Sequence, residues 1–241
     1  LVGIQTGQLL GMAAPRATMP VLGLHRPAHA PMMRGILVSR AFRVMPATPA
    51  STPQGDLFGG PQPGRLHRLF FALVPSAGER EGLRHRADDL KAAFPQARWV
   101  RPERYHLTLH FLGESDGPRE DLVSSAREAM RDWQPEPLGI TLDHLLCLGN
   151  PKNPALTLAA LHPSPAVVAF WRGLQQRLLR AGFRQPLGRS FVPHLTLAYV
   201  PPRTAPVDVT PVVLHPQAVH LLQGVEGEPD YQCLGEWSLA D

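Results

Sequence analysis

From residue 65 onward, apolar positions recur in short runs cut by Pro and Gly. Arg68 to Val74 (RLFFALV) is an apolar run ended by Pro75 and predicts a strand. Ser76 offers an N-cap, and Leu83, Ala87, Leu90 and Phe94 then recur at helical spacing until Pro95. Residues 97–100 (ARWV) and 106–113 (HLTLHFLG) predict two further strands, the second ended by Gly113. Pro118 opens a second expected helix, with Leu122, Ala126 and Ala129 on one face, reaching Trp133. Ile140 to Leu148 and Ala155 to Leu161 predict strands joined by the turn GNPKNP. Ser164 caps a helix whose Val167, Trp171, Leu174 and Leu178 share one stripe, and Gly182 stops it. FVPHLTLAYV at 191–200 predicts a strand closed by Pro201 and Pro202. Ala218 to Gln223 and Tyr231 to Leu239 are the last two expected strands. The order repeats roughly, with turns that suit antiparallel pairing, which predicts an α+β fold of two related lobes.

One tetrapeptide occurs twice inside that repeat, His106-Leu107-Thr108-Leu109 and His194-Leu195-Thr196-Leu197. His-x-Thr alone is expected about 0.5 times by chance in such a chain. Two identical copies, each on a predicted strand, are a far rarer coincidence. Alternation puts His106 and Thr108 on one face and the leucines on the other, and His194 and Thr196 follow suit. Were the strands neighbours, one wall would present two imidazoles able to act as acid and base near neutral pH. Two hydroxyls on that wall could hydrogen-bond the non-bridging oxygens of a phosphate. This is a kit for cleaving a phosphodiester without metal. A zinc reading would pair His106 with His110, but four strand residues span about 13 Å, too far to share one ion. Strict alternation also points His110 with His106, making it a candidate for lining the site beside a purely structural role.

Charge changes the picture only locally. The net charge of +4 and pI near 9.6 belong to residues 1–64, since the remainder is neutral overall. Those first 64 residues are rich in Pro and Met and lack a sustained period, so they are expected to be a disordered extension, with a leader upstream of the true start or a targeting peptide as the other readings. Residues 65–241 are then the working two-lobed domain. Within it, the stretch from Asp143 to Asp208 holds seven Lys or Arg and no acid between its ends, which marks it as the expected seat of a phosphate backbone. No apolar run is long enough for a spanning helix. Cys147 and Cys233 are too few for a disulfide framework and are expected as small core residues in a reducing, cytoplasmic setting.

RLFFAL at 68–73, RWVRPERYHLTLHFLGE at 98–114, RSFVPHLTLAYV at 189–200 and DYQCLGEWSL at 230–239 resemble the two-histidine (2H) phosphoesterases. The most similar branch is the bacterial RNA 2',3'-cyclic phosphodiesterases, historically called 2'-5' RNA ligases. The resemblance implies a bilobal, pseudo-twofold α+β fold of antiparallel sheets with outer helices and a central cleft carrying both motifs. It implies hydrolysis of a 2',3'-cyclic phosphate on RNA ends or small cyclic nucleotides to a 2'-phosphate; nothing in the sequence calls for a cofactor or an obligate partner, so a monomer is expected. It further implies His194 as the base that activates water and His106 as the proton donor, with Thr108 and Thr196 holding the phosphate. The residues alone do not say which histidine is acid and which base. One departure stands out, because this branch often has Arg shortly after the second motif where this chain has Tyr199. Arg203 is the nearest replacement, and alternation sends Tyr199 to the leucine face. Phe70 or Phe71 and Phe191 are candidates to stack on a base or ribose, with core packing as the competing role. Ligation to a 2'-5' bond, and nucleotide binding without chemistry, are the alternative functions.

Overall fold

The computed structural model describes residues 64–184, 190–201 and 207–239. The expected extension up to residue 63 and Arg203 lie outside the described residues. All described elements belong to one compact unit. The described part of the chain begins with β1 (His67–Leu73) and turns at Pro75 into α1 (Ala77–Leu90). A reciprocal capping box starts α1, with the Ser76 hydroxyl accepting from the Glu79 N–H and the Glu79 carboxylate accepting from the Ser76 N–H. The helix ends before Phe94, which nevertheless packs on the core from the following turn. Next come β2 (Arg98–Trp99), a 3-10 turn (Pro102–Arg104) and β3 (Leu107–Ser115). β3 therefore outruns Gly113, which sits in it at φ 142°.

α2 (Glu120–Met130) starts two residues later than Pro118 suggested, with Arg119 at its N-cap. β4 (Ile140–Leu148) and β5 (Ala155–Ala159) follow, then α3 (Pro165–Arg180), capped by the Ser164 hydroxyl as expected. β6 (His194–Tyr199), β7 (Val207–Leu214), β8 (Ala218–Val225) and β9 (Tyr231–Ser238) complete the order. β7 is a strand that the pattern missed. Its Pro211 argues against a sheet interior, but among the described residues β7 pairs only with β4 at the sheet's edge and its register shifts opposite that proline. Among the described residues no helix is long and apolar enough to cross a membrane.

The strands form one antiparallel sheet in the order β7-β4-β5-β6-β3-β1-β8-β9, with β2 added to β6. The two four-stranded halves meet where β3 and β6 pair through Leu107 and Leu195. These are equivalent residues of the two HLTL motifs, so an approximate twofold axis passes between them. The helices cover one face, where Leu107, Leu109, Leu195 and Leu197 join Leu83, Leu174 and Leu178 in the main core. A smaller cluster of Phe70, Ala72 and Leu222, with Phe111 and Tyr231 against it, lies apart from that core.

The symmetry extends to a shared irregularity. In β3 the partner of β1 skips from Thr108 to His110, leaving Leu109 as an extra residue. In β6 the partner of β5 skips from Thr196 to Ala198, leaving Leu197 as the extra one. Each bulge follows its His-x-Thr and reverses the alternation beyond it. The carbonyl that each bulge strands is satisfied from outside the ladder. The Trp171 indole N–H of α3 donates to Leu109 O at 2.9 Å, and the Val100 N–H beside β2 donates to Leu197 O at 2.8 Å.

The cysteines depart from expectation. Cys147 is half-buried and Cys233 is exposed on the terminal strand β9, opposite a register shift.

Candidate active site

Extending the Leu107–Leu195 register by one residue each way sets His106 across from Thr196 and Thr108 across from His194. All four are half-buried on the face away from the leucines. The histidines become diagonal neighbours, about 7–8 Å apart along the backbone. Each ring is held the same way. His106 Nδ1–H donates to the Arg104 carbonyl at 2.8 Å, and His194 Nδ1–H donates to the Val192 carbonyl at 2.7 Å. A carbonyl partner requires hydrogen on Nδ1, so in both neutral rings Nε2 carries a lone pair. Burial pushes the His106 imidazole down to about 4, against the raising effect of its Arg104 carbonyl, with His194 and the Arg104 guanidinium adding smaller downward pulls. Burial also lowers His194. Both rings are thus neutral at pH 7 in the free protein. Among the described residues neither threonine hydroxyl is hydrogen-bonded.

Around His106 the site is aromatic. Phe70 lies tilted with its ring centroid 5.1 Å from the imidazole, and Tyr231 meets it edge-on at 5.1 Å. Gly224 makes room for Tyr231, since a Cβ there would come within 3.2 Å of the ring. The Arg104 guanidinium lies 4.3 Å over Tyr231, and that of Arg98 lies 4.7 Å over Tyr199.

Several expectations are corrected here. The bulge at Leu109 turns His110 away from His106. His110 is buried at 3% exposure, stacks on Trp171 at 5.0 Å, and its Nε2–H donates to the Trp171 carbonyl. Phe71 is fully buried 5.8 Å from Trp237, and Phe70 takes the place beside the histidine. Phe191 stacks on Trp171 at 5.2 Å as part of the core. The second bulge moves Tyr199 off the leucine face, which strict alternation could not foresee. Part of the expected basic patch lies elsewhere, while Arg189 and Arg203 lie outside the described residues. Arg172, Arg177 and Arg180 belong to α3 on the helix side, and Arg177 is spent on the Arg131 carbonyl and the Trp133 ring. Among the described residues, Arg104 lies over the Tyr231 ring that meets His106 and Arg98 lies over Tyr199, both from a stretch of mixed charge that stands out less by count. Tyr231 lies in the DYQCLGEWSL stretch, for which the resemblance implies no role. Its only signal in sequence is that it follows a turn after the strand holding Gly224.

The sequence model of the 2'-5' RNA ligase superfamily matches residues 80–222. An RNA 2',3'-cyclic phosphodiesterase of Methanothermobacter thermautotrophicus is 28% identical over 134 residues, covering 55% of this chain and 71% of that protein. An enzyme of the same name from Geobacillus stearothermophilus is 26% identical over 130 residues, covering 54% of this chain but only 41% of its own length. Among solved structures, a phosphoesterase aligns with TM-score 0.57 and 26% identity over 73% of this chain and 99% of that one. E. coli LigT complexed with 3'-AMP aligns with TM-score 0.56 and 25% identity over the same shares. With the family model spanning more than half of the sequence and the doubled histidine strand at the centre of the fold, the chain belongs to the 2'-5' RNA ligase superfamily of two-histidine phosphoesterases.

Proposed function

We propose that this chain is a phosphoesterase that opens a 2',3'-cyclic phosphate on an RNA end or small nucleotide to the 2'-phosphomonoester without metal. The observation that carries the reading is the dyad-related pair of imidazoles, each fixed through Nδ1 so that Nε2 is free for proton transfer. The names of the relatives support the same activity.

In the proposed step, His194 Nε2 accepts a proton from water as its oxygen bonds to phosphorus. The bond from phosphorus to O3' breaks, and His106 Nε2–H delivers its proton to O3'. One proton leaves water and one reaches the sugar oxygen, so the pair ends with its charge exchanged and resets through solvent. Thr108 and Thr196 donate to the non-bridging oxygens. Burial lowers His106, so its donor role requires that its imidazolium form as the substrate binds. The phosphate monoanion beside it favours that charged form.

Incubation of the purified protein with nucleoside 2',3'-cyclic phosphates in excess EDTA tests the proposal. Release of the 2'-phosphate is expected, and hydrolysis that requires added metal would refute it.

A further inference from the structure

Two arginines near the histidines are held on tyrosine rings, Arg98 on Tyr199 and Arg104 on Tyr231. Among the described residues neither has a carboxylate partner. Their neighbours differ in this respect, because Arg101 is neutralised by Asp230 and Arg68 by Glu114. A guanidinium held over an aromatic ring keeps its N–H groups at the edge; Arg104 spends one of them, on Nη1, on the Pro229 carbonyl at 3.2 Å and keeps the others for an anionic acceptor. The free acid of the same stretch is Glu103, exposed in the 3-10 turn.

The placement is not accidental to one strand. The bulge at Leu197 brings Tyr199 to the histidine side, and β2 pairs Arg98 directly with Tyr199. Tyr199 lies three residues beyond Thr196, about 10 Å along the strand. That is too far for Arg98 to touch a phosphate held by the threonines. Tyr231 carries Arg104 from the ring that meets His106 edge-on. The two cations therefore flank the reaction site without being part of it.

We infer that Arg98 and Arg104 form a subsite for the internucleotide phosphate on the 5' side of the reacting nucleotide, so that the site takes an RNA end in preference to a free mononucleotide. This rests on the phosphodiesterase reading and extends it from the reacting group to the polymer. A mononucleoside 2',3'-cyclic phosphate has a single phosphate and leaves both guanidinium groups empty. A dinucleotide ending in the same cyclic phosphate supplies the second anion, and paired charge-assisted hydrogen bonds are the strong way to hold it.

The test compares kcat/KM for adenosine 2',3'-cyclic phosphate with that for the adenosine dinucleotide bearing the same terminus. The wild type is expected to favour the dinucleotide by about tenfold or more. In Arg98→Gln, and in Arg98→Gln with Arg104→Gln, that ratio is expected to collapse toward one. A ratio that stays at its wild-type value in both variants overturns the inference. Titration calorimetry with the dinucleotide 2'-phosphate product reads the subsite without turnover. Its affinity is expected to fall with salt more steeply than in the double variant, by about 0.7 in log–log slope per lost phosphate contact. Equal slopes would overturn the subsite. A wild type that binds the dinucleotide through these arginines yet hydrolyses neither substrate would refute the phosphodiesterase reading and leave the subsite standing.

Discussion

Binding of an uncleavable substrate analogue should draw a proton onto His106. In the free protein burial holds this imidazole near 4, so at pH 7 it is neutral. To serve as acid it must gain a proton when the phosphate arrives. One negative charge about 4 Å from the ring contributes about 4 kcal/mol at an effective dielectric of 20. That is enough to carry the group from about 4 to about 7, at about 1.4 kcal/mol per tenfold change. The assay is titration calorimetry with a cyclic phosphonate in which methylene replaces O3', a monoanion throughout the range. Buffers of different ionisation enthalpy then report the protons exchanged. Uptake of about half a proton at pH 7 and nearly one at pH 6 is expected. Affinity should fall about tenfold per pH unit from 5 to 7 and level off above. The sign follows from the direction of the change, because a proton bound more tightly in the complex favours binding at lower pH. His106→Asn should abolish the uptake. A wild type that binds with no proton exchange and flat affinity, or a variant that keeps the uptake, would refute the reasoning.

Other outcomes follow from the same geometry. His106→Ala and His194→Ala should each lower kcat by about 10²–10⁴ while the melting transition stays cooperative, as steady-state rates and circular dichroism would show. Thr108→Val and Thr196→Val should each lower kcat/KM about tenfold, consistent with loss of one hydrogen bond to a charged group. His110→Phe should keep the stack on Trp171 and remove a buried group whose imidazole burial lowers to about 4. Its unfolded form binds protons below about 6.5 while the folded form resists until about 4, so wild-type stability is lost as pH falls through that window. Chemical denaturation at pH 7 and pH 4 should show that acid loss shrinking by about 3 kcal/mol in the variant, and an equal loss in both proteins would contradict it.

Most strands and all three helices were legible because each has one dominant period and a Pro, Gly or Ser at its end. The HLTL pairs were legible for the same reason, since two residues of alternation suffice to share a face. What lay beyond Thr108 and Thr196 was not. A bulge adds one residue to a strand without any mark in composition, and it reversed the placement of both His110 and Tyr199. β7 was hidden by Pro211, which only an edge strand tolerates. The arginine–tyrosine pairs join residues from β2 and β6, or from the 3-10 turn and β9, so no local window contains them. For Arg172, Arg177 and Arg180 the basic stretch misled, because charge along a chain does not say which face of the fold its helix covers.

The proposed chemistry is hydrolysis of a 2',3'-cyclic phosphate by two histidines without metal. Product analysis of an RNA oligonucleotide bearing that terminus, incubated with the protein in excess EDTA, tests it most directly. A 2'-phosphate terminus, formed by the wild type and absent with His194→Ala, is the expected result. An intact cyclic end, or a 3'-phosphate product formed only after metal is restored, would contradict it.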